Sequence, residues 1–199
     1  LDGNLALTLP MDLSIITTMD ALSHGFEAIW NRNANETSTS YAIESICSII
    51  QNVDNLKKTP FDLQIRNELL LASNKAGLAF SNTKTAAAHS ISYPLTINYG
   101  IPHGIASSLS LEPILNINAN LITKEIDIIC KNLNFSFEDL KRKIKDIPDK
   151  IIPFKLNHWG VKRDHLKKLV KESFTKGRMD NNIVNLDHDD VYQILRSIY

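Results

Sequence analysis

The 199 residues hold only two cysteines, Cys47 and Cys130, far apart and in no CxxC pair. That excludes a disulfide-built scaffold and fits a reducing cytoplasm. An excess of charge of one sign is also missing. Lys plus Arg and Asp plus Glu both number 22, so no general field draws the chain to nucleic acid or to an anionic membrane. No apolar run is long enough to span a bilayer, and the opening residues do not read as a signal peptide. There are only seven glycines and no G-x-G, so the glycine-rich turn that cradles nucleotide phosphates is lacking. No repeat or low-complexity segment occurs. The chain opens at Leu1 rather than at a methionine, with Asp2 and Gly3 reading as loop, which suggests a segment of a larger protein.

What is present is an ordinary globular composition, 43% hydrophobic and 22% charged, of a length that suits one domain with a sizeable core. Apolar positions recur at helical spacing. "IESICSIIQNVDNL" places Ile43, Ile46, Cys47, Ile50 and Val53 on one face. "RNELLLASNKAGLAF" reads as a nearly continuous buried helix through Leu69, Leu70, Ala76, Leu78 and Phe80. "DVYQILRSIY" closes the chain with Val191, Ile194, Leu195 and Ile198. Alternation is confined to "NLALTLP", where Leu5, Leu7 and Leu9 read as one short strand before Pro10. Breaks fall at "NRNANETSTS", with Asn35 or Thr37 as N-cap, at Pro60 with Asp62, and at Gly100 and Pro102. The expectation is an all-α domain of about seven to nine helices. It covers residues 11–199, with residues 1–10 as the end of a linker or strand.

One segment, "AHSISYPLTINYGIPHG", carries His89 and His103 at the ends of a run without Asp, Glu, Lys or Arg. A third histidine lies in "MDALSHGFEAIW", four residues after Asp20. On a helix i and i+4 share a face, so Asp20 and His24 point the same way among apolar neighbours. Buried polar groups need partners, because an uncompensated one costs roughly 2–7 kcal/mol. A metal is one such partner. One carboxylate and three imidazoles form a mixed oxygen and nitrogen set for Fe²⁺, Zn²⁺, Ni²⁺ or Co²⁺. Taken singly, each of these residues is more often a core hydrogen-bonding group than a ligand.

The joint pattern resembles the iron-containing alcohol dehydrogenase family, in the dehydroquinate-synthase-like superfamily. Asp-x3-His appears as "DALSH", and two histidines fourteen residues apart appear as His89 and His103, the second in "IPHG". "NELLLASNKAGLAFSN" and "GRMDNNIVNLDHDDVYQIL" are similar to other parts of the family's helical C-terminal domain. The resemblance implies that Asp20, His24, His89 and His103 bind a divalent metal, with Fe²⁺ first and Zn²⁺ or Ni²⁺ as alternatives. It implies that the run between His89 and His103 walls a closed site. It also implies hydride exchange between NAD or NADP and an alcohol or aldehyde. The nucleotide would be bound mostly by an N-terminal domain of the same protein, so the chain alone is expected to bind metal without turning over. Self-association is left open.

One position departs from the family. Many members have a histidine four residues after the first of the spaced pair, where this chain has Tyr93. Its hydroxyl would bond substrate or relay a proton, although tyrosine is a poorer proton carrier than histidine near neutral pH. "TKTAAAHSISYPLT" is similar to the phosphonoacetaldehyde reductase, or hydroxyethylphosphonate dehydrogenase, branch of the family. A phosphonate beside the metal would call for a cation, which Lys84 would supply, with Thr85 as a hydroxyl donor. Glu27 is expected to make a structural ion pair, and His158, His165 and His188 to lie on exposed faces. Two other readings compete. One is a related polyol dehydrogenase or dehydroquinate-synthase-like lyase, against which the fourteen-residue interval counts. The other is a helical assembly module without metal or catalysis.

Overall fold

A computed structural model describes all residues from Leu1 to Tyr199. Ten α-helices run Met11–Ile29 (α1), Glu36–Lys58 (α2), Leu63–Thr83 (α3), Ala87–Tyr99 (α4), His103–Leu109 (α5), Leu111–Asn118 (α6), Thr123–Leu133 (α7), Phe137–Asp146 (α8), Leu166–Glu172 (α9) and His188–Ser197 (α10). Five short 3-10 turns join them, and there is no strand. The fold class is as the sequence implies. The helices number one more than the upper end of the expected seven to nine, and only Ser110 parts α5 from α6. No helix is long and apolar enough to cross a membrane.

Helix α1 is the axis of the core. Ile15, Met19, Leu22, Phe26 and Trp30 are almost wholly enclosed, each such side chain contributing about 1.5–3 kcal/mol by leaving water. α2 covers α1 through Ala42, Ile46, Ile49, Val53 and Leu56. The two backbones approach closely at Gly25, where an added Cβ would meet the Ile46 side chain at 3.0 Å. Asn35 is the N-cap of α2, with a reciprocal bond from Ser38, and Asp62 caps α3.

Two sequence readings change here. "NLALTLP" is a 3-10 turn over Gly3–Ala6 with Leu5 exposed, not a strand. The Asp2 carboxylate caps that turn by accepting from the Asn4 N–H, a local bond that alternation does not reveal. α3 is also less buried than its apolar run suggests. Leu71 and Leu78 face outward, and contact with the core is made by Ala72, Ala76 and Ala79. Alanines let helices approach closely, so the small side chains hold the interface while the leucines lie at its margin.

Candidate metal centre

Three elements meet at one point. α1 supplies Asp20, α4 supplies His89, and the first residue of α5 is His103. Gly104 makes this meeting possible. A Cβ there would lie 2.1 Å from the Ile16 carbonyl oxygen and 3.0 Å from the Asp20 Cβ, so only glycine lets α5 approach α1 this closely. α4 ends at Gly100 in the left-handed conformation, φ +65°. Ile101 then buries and Pro102 turns the chain into α5.

The donor atoms of Asp20, His89 and His103 all lie within 4.8 Å of one another. Asp20 Oδ1 is 3.6 Å from His89 Nε2 and 3.7 Å from His103 Nε2. Donors held about 2.0–2.2 Å from one tetrahedral ion stand roughly 3.3–3.6 Å apart, so the two Asp20–histidine separations are close to those of a ligand set and too long for direct hydrogen bonds. His89 Nε2 is buried and has no hydrogen-bond partner. A buried ring nitrogen pointed at a carboxylate and a second imidazole without bonding either fits a divalent cation.

His24 lies beside this trio, outside the set of donor atoms already within 4.8 Å of one another. Its ring stacks between Phe80, at 4.1 Å, and His89, at 4.5 Å. Burial and the neighbouring His89 charge push its pKa down to about 4, so it is neutral at physiological pH, the state in which imidazole binds metal.

Glu27 is the residue whose role local sequence understates. It is completely buried, one turn and three residues along α1 from Asp20. Its Oε2 is 2.6 Å from His89 Nδ1, and its Oε1 accepts the His89 backbone N–H at 3.1 Å. The expected ion pair is therefore present, and it grips the ring that presents Nε2. A carboxylate behind a ligating histidine fixes the tautomer and raises ligand basicity. The i+7 relation to Asp20 was the only signal available for this, since the contact spans α1 and α4. Burial disfavours the charged His89 ring, but the Glu27 charge and the nearby Asp20 together outweigh it and push His89 up to about 9. Burial would likewise raise Glu27 and Asp20, yet the facing imidazoles hold both carboxyls below their ordinary values.

Tyr93 sits one turn beyond His89, half-buried, its ring 6.3 Å from that of His103. Lys84 and Thr85 are not drawn into the cluster. Lys84 ends α3 with φ +69° and an exposed side chain, and its carbonyl accepts from Asn31 Nδ2. The Thr85 carbonyl accepts from Asn181 Nδ2. The run after His89 does not enclose the site as expected. Ser90, Ile91, Ser92, Pro94 and Leu95 are buried in the core, Ile97 and Asn98 face solvent, and the cluster opens outward at the exposed His103. A helix turns its residues around its axis, so an uncharged run cannot all line one wall. His165 and His188 are partnered by Tyr99 and Phe174 away from this site.

Residues 14–199 match the model of the Fe-containing alcohol dehydrogenase family, C-terminal. Long-chain-alcohol dehydrogenase 1 of Geobacillus thermodenitrificans is 29% identical over 191 residues, covering 89% of this chain and 48% of that protein. The 4-hydroxybutyrate dehydrogenase of Clostridium kluyveri is 25% identical over 202 residues, covering 96% and 54%. A crystal structure of sulfoacetaldehyde reductase from Bifidobacterium kashiwanohense in complex with NAD+ superposes with a TM-score of 0.91 at 25% identity, over 99% of this chain and 53% of that one. The chain spans about half the length of the curated relatives it matches. It belongs to the Fe-containing alcohol dehydrogenase family, matching that family's C-terminal domain.

Proposed function

We propose that this chain is the metal-binding part of a nicotinamide-dependent dehydrogenase that interconverts an alcohol and an aldehyde. The observation that carries this reading is the buried, unpartnered Nε2 of His89 facing Asp20 and His103. Asp20, His89 and His103 would hold a divalent ion, with His24 as the fourth ligand. His24 lies against the His89 ring in the neutral form that ligation needs. Fe²⁺ leads by family, and the mixed oxygen and nitrogen donor set also suits Zn²⁺ or Ni²⁺. An ion bound there would supply a Lewis acid for the substrate oxygen.

The protein's own groups orient what binds. Glu27 locks the His89 ring, and Gly104 sets the separation of His103 from Asp20. Tyr93 borders the open side next to His103, where its hydroxyl would bond substrate or pass a proton outward. NAD or NADP would bind mainly to an N-terminal domain, since this chain has no glycine-rich turn.

The finer reading is reduction of phosphonoacetaldehyde to 2-hydroxyethylphosphonate. It is supported by the resemblance of residues 83–96. It is also consistent with two relatives whose names describe substrates carrying an anionic group, sulfoacetaldehyde and 4-hydroxybutyrate. The sequence alone offers Lys84 and Thr85, just ahead of α4, for the phosphonate, but the Lys84 side chain extends into solvent.

The test uses full-length protein loaded with Fe²⁺, Zn²⁺ or Ni²⁺ and assayed with NADH and NADPH against an aldehyde panel. Turnover that is lost on chelation, and lost again in His103→Ala, is expected. Full turnover in the presence of chelator, or none with any metal and aldehyde, contradicts the reading.

A further inference from the structure

The arginines of this chain are not equivalent. Arg32 donates to the Asn182 and Ile183 carbonyls and to Asn185, and Arg66 to the Leu9 and Pro60 carbonyls and to Ser14. Arg142 pairs with Asp139. Arg163 and Arg196 are exposed. Arg178 is half-buried, yet its guanidinium makes no ion pair and no hydrogen bond to the protein. Its only specific contact is with Tyr93, its guanidinium carbon lying 4.8 Å from the ring centroid. The other neighbour of that ring is His103. One aromatic side chain therefore separates an unpaired guanidinium from the metal cluster.

The placement is built by the fold. α9 gives way to a loop that folds back over α4. The Thr175 N–H donates to Ser90 Oγ, and that hydroxyl donates in turn to the Ser173 carbonyl. Asn181 Nδ2 bridges the carbonyls of Thr85 and Gly177, and Met179 is buried beneath. The first turns of α4, which carry His89, thus also anchor the loop that carries Arg178. Lys84, by contrast, extends from the end of α3 into solvent.

We propose that Arg178 is the specificity-determining residue of this site, binding an oxyanion group (carboxylate, sulfonate or phosphonate) at the end of the substrate remote from the reacting carbon. A partly desolvated cation without a protein anion is poised for an anionic ligand, and the planar five-donor fork of arginine suits oxyanions in particular. Stacking on Tyr93 holds the guanidinium plane in place before the ligand arrives. This inference rests on the proposed dehydrogenase reading and names its substrate class.

The experiment uses the full-length, metal-loaded enzyme and its Arg178→Ala, Arg178→Lys and Lys84→Ala variants, each first checked for an unchanged melting temperature. Dissociation constants for ethylphosphonate, ethanesulfonate and propionate are measured by calorimetry. In parallel, kcat/KM is compared for 2-hydroxyethylphosphonate, 2-hydroxyethanesulfonate and 3-hydroxypropionate against 1-propanol. In Arg178→Ala the binding of whichever anion the wild type prefers is expected to weaken tenfold or more. The ratio of kcat/KM for the matching hydroxy anion to that for 1-propanol should fall as far, with partial recovery in Arg178→Lys. The three anions identify which oxyanion the site takes. The proposal is overturned if the wild type binds none of them, if Arg178→Ala lowers anionic and uncharged substrates equally, or if the loss follows Lys84→Ala instead. Absence of any metal-dependent turnover by the wild type, 1-propanol included, would instead contradict the dehydrogenase reading itself.

Discussion

Glu27 and His89 form a buried pair in which a carboxylate occupies one ring nitrogen, 2.6 Å away, and leaves the other facing Asp20 and His103 with no partner. The two residues come from different helices, and neither reaches solvent to a meaningful extent. Removing Glu27 would free Nδ1 and leave the His89 backbone N–H without its acceptor as well. Glu27→Gln is expected to weaken divalent-metal binding about 10–100-fold, the usual effect of losing an outer carboxylate behind a ligating histidine. Glu27→Ala is expected to destabilise the fold by about 3–5 kcal/mol, because it leaves a buried group unpaired. Chelator-competition titration and thermal melts check the two effects separately.

The pH dependence of the metal-free protein follows from two histidines shifted in opposite directions. His24, held down to about 4, resists protonation in the fold, so its contribution to stability is lost as pH falls below the ordinary histidine range near 6.5. His89, pushed up to about 9, adds stability that is complete below 6.5 and disappears as pH rises through 9. The lowered carboxyls of Asp20 and Glu27 add a further loss in acid. Stability of the metal-free protein should therefore peak near pH 6.5. Metal must displace the His89 proton, so the increase in melting temperature caused by Zn²⁺ should grow between pH 6.5 and 9. A flat or falling increment over that range would contradict the assigned state of His89.

Gly104→Ala tests how the site is assembled. The added methyl would collide with the Ile16 carbonyl, and the backbone of α5 must shift to admit it. A destabilisation of about 1–3 kcal/mol is expected, with a loss of metal affinity as His103 moves away from Asp20. Gly77→Ala is the contrasting case. Nothing lies within 4 Å of a Cβ there, so a helical alanine should be neutral or stabilise by about 0.4–1 kcal/mol. Melting temperatures of the pair, measured together, separate a packing effect from a generic response to lost glycine.

A fourth expectation concerns the isolated chain. It should take up one divalent ion and yet show no NADH or NADPH oxidation with an aldehyde, because it lacks a nucleotide-cradling turn. Stopped assays with Zn²⁺ and acetaldehyde check this, and robust catalysis by residues 1–199 alone would overturn it.

Much of this was legible in the sequence because the chemistry lies in short local motifs. Asp20 and His24 share a helix face, and His89 and His103 stand out only through their joint spacing with that pair. The helical class followed from periodicity, and Asn35 and Asp62 from capping chemistry. What stayed hidden depends on contacts distant in sequence. Glu27 acquires its role only when α4 packs on α1. Arg178 lies in "TKGRMDNN", which reads as a polar loop until Ser90 and Thr85 fasten it over Tyr93. Leu78 faces outward for the same reason, whereas the 3-10 turn at Gly3–Ala6 rests on the local Asp2 cap, which apolar alternation does not reveal. Apolar spacing records which residues could be buried, whereas tertiary packing decides which of them are.

Side chains from three helices are expected to share one ion. The most direct test is a crystal of the Zn²⁺- or Fe²⁺-loaded protein, with anomalous scattering recorded at the metal edge. One peak per chain is expected, within about 2.0–2.3 Å of Asp20, His24, His89 Nε2 and His103. A peak elsewhere, or one at this point with His89 Nε2 turned away from it, would contradict the account.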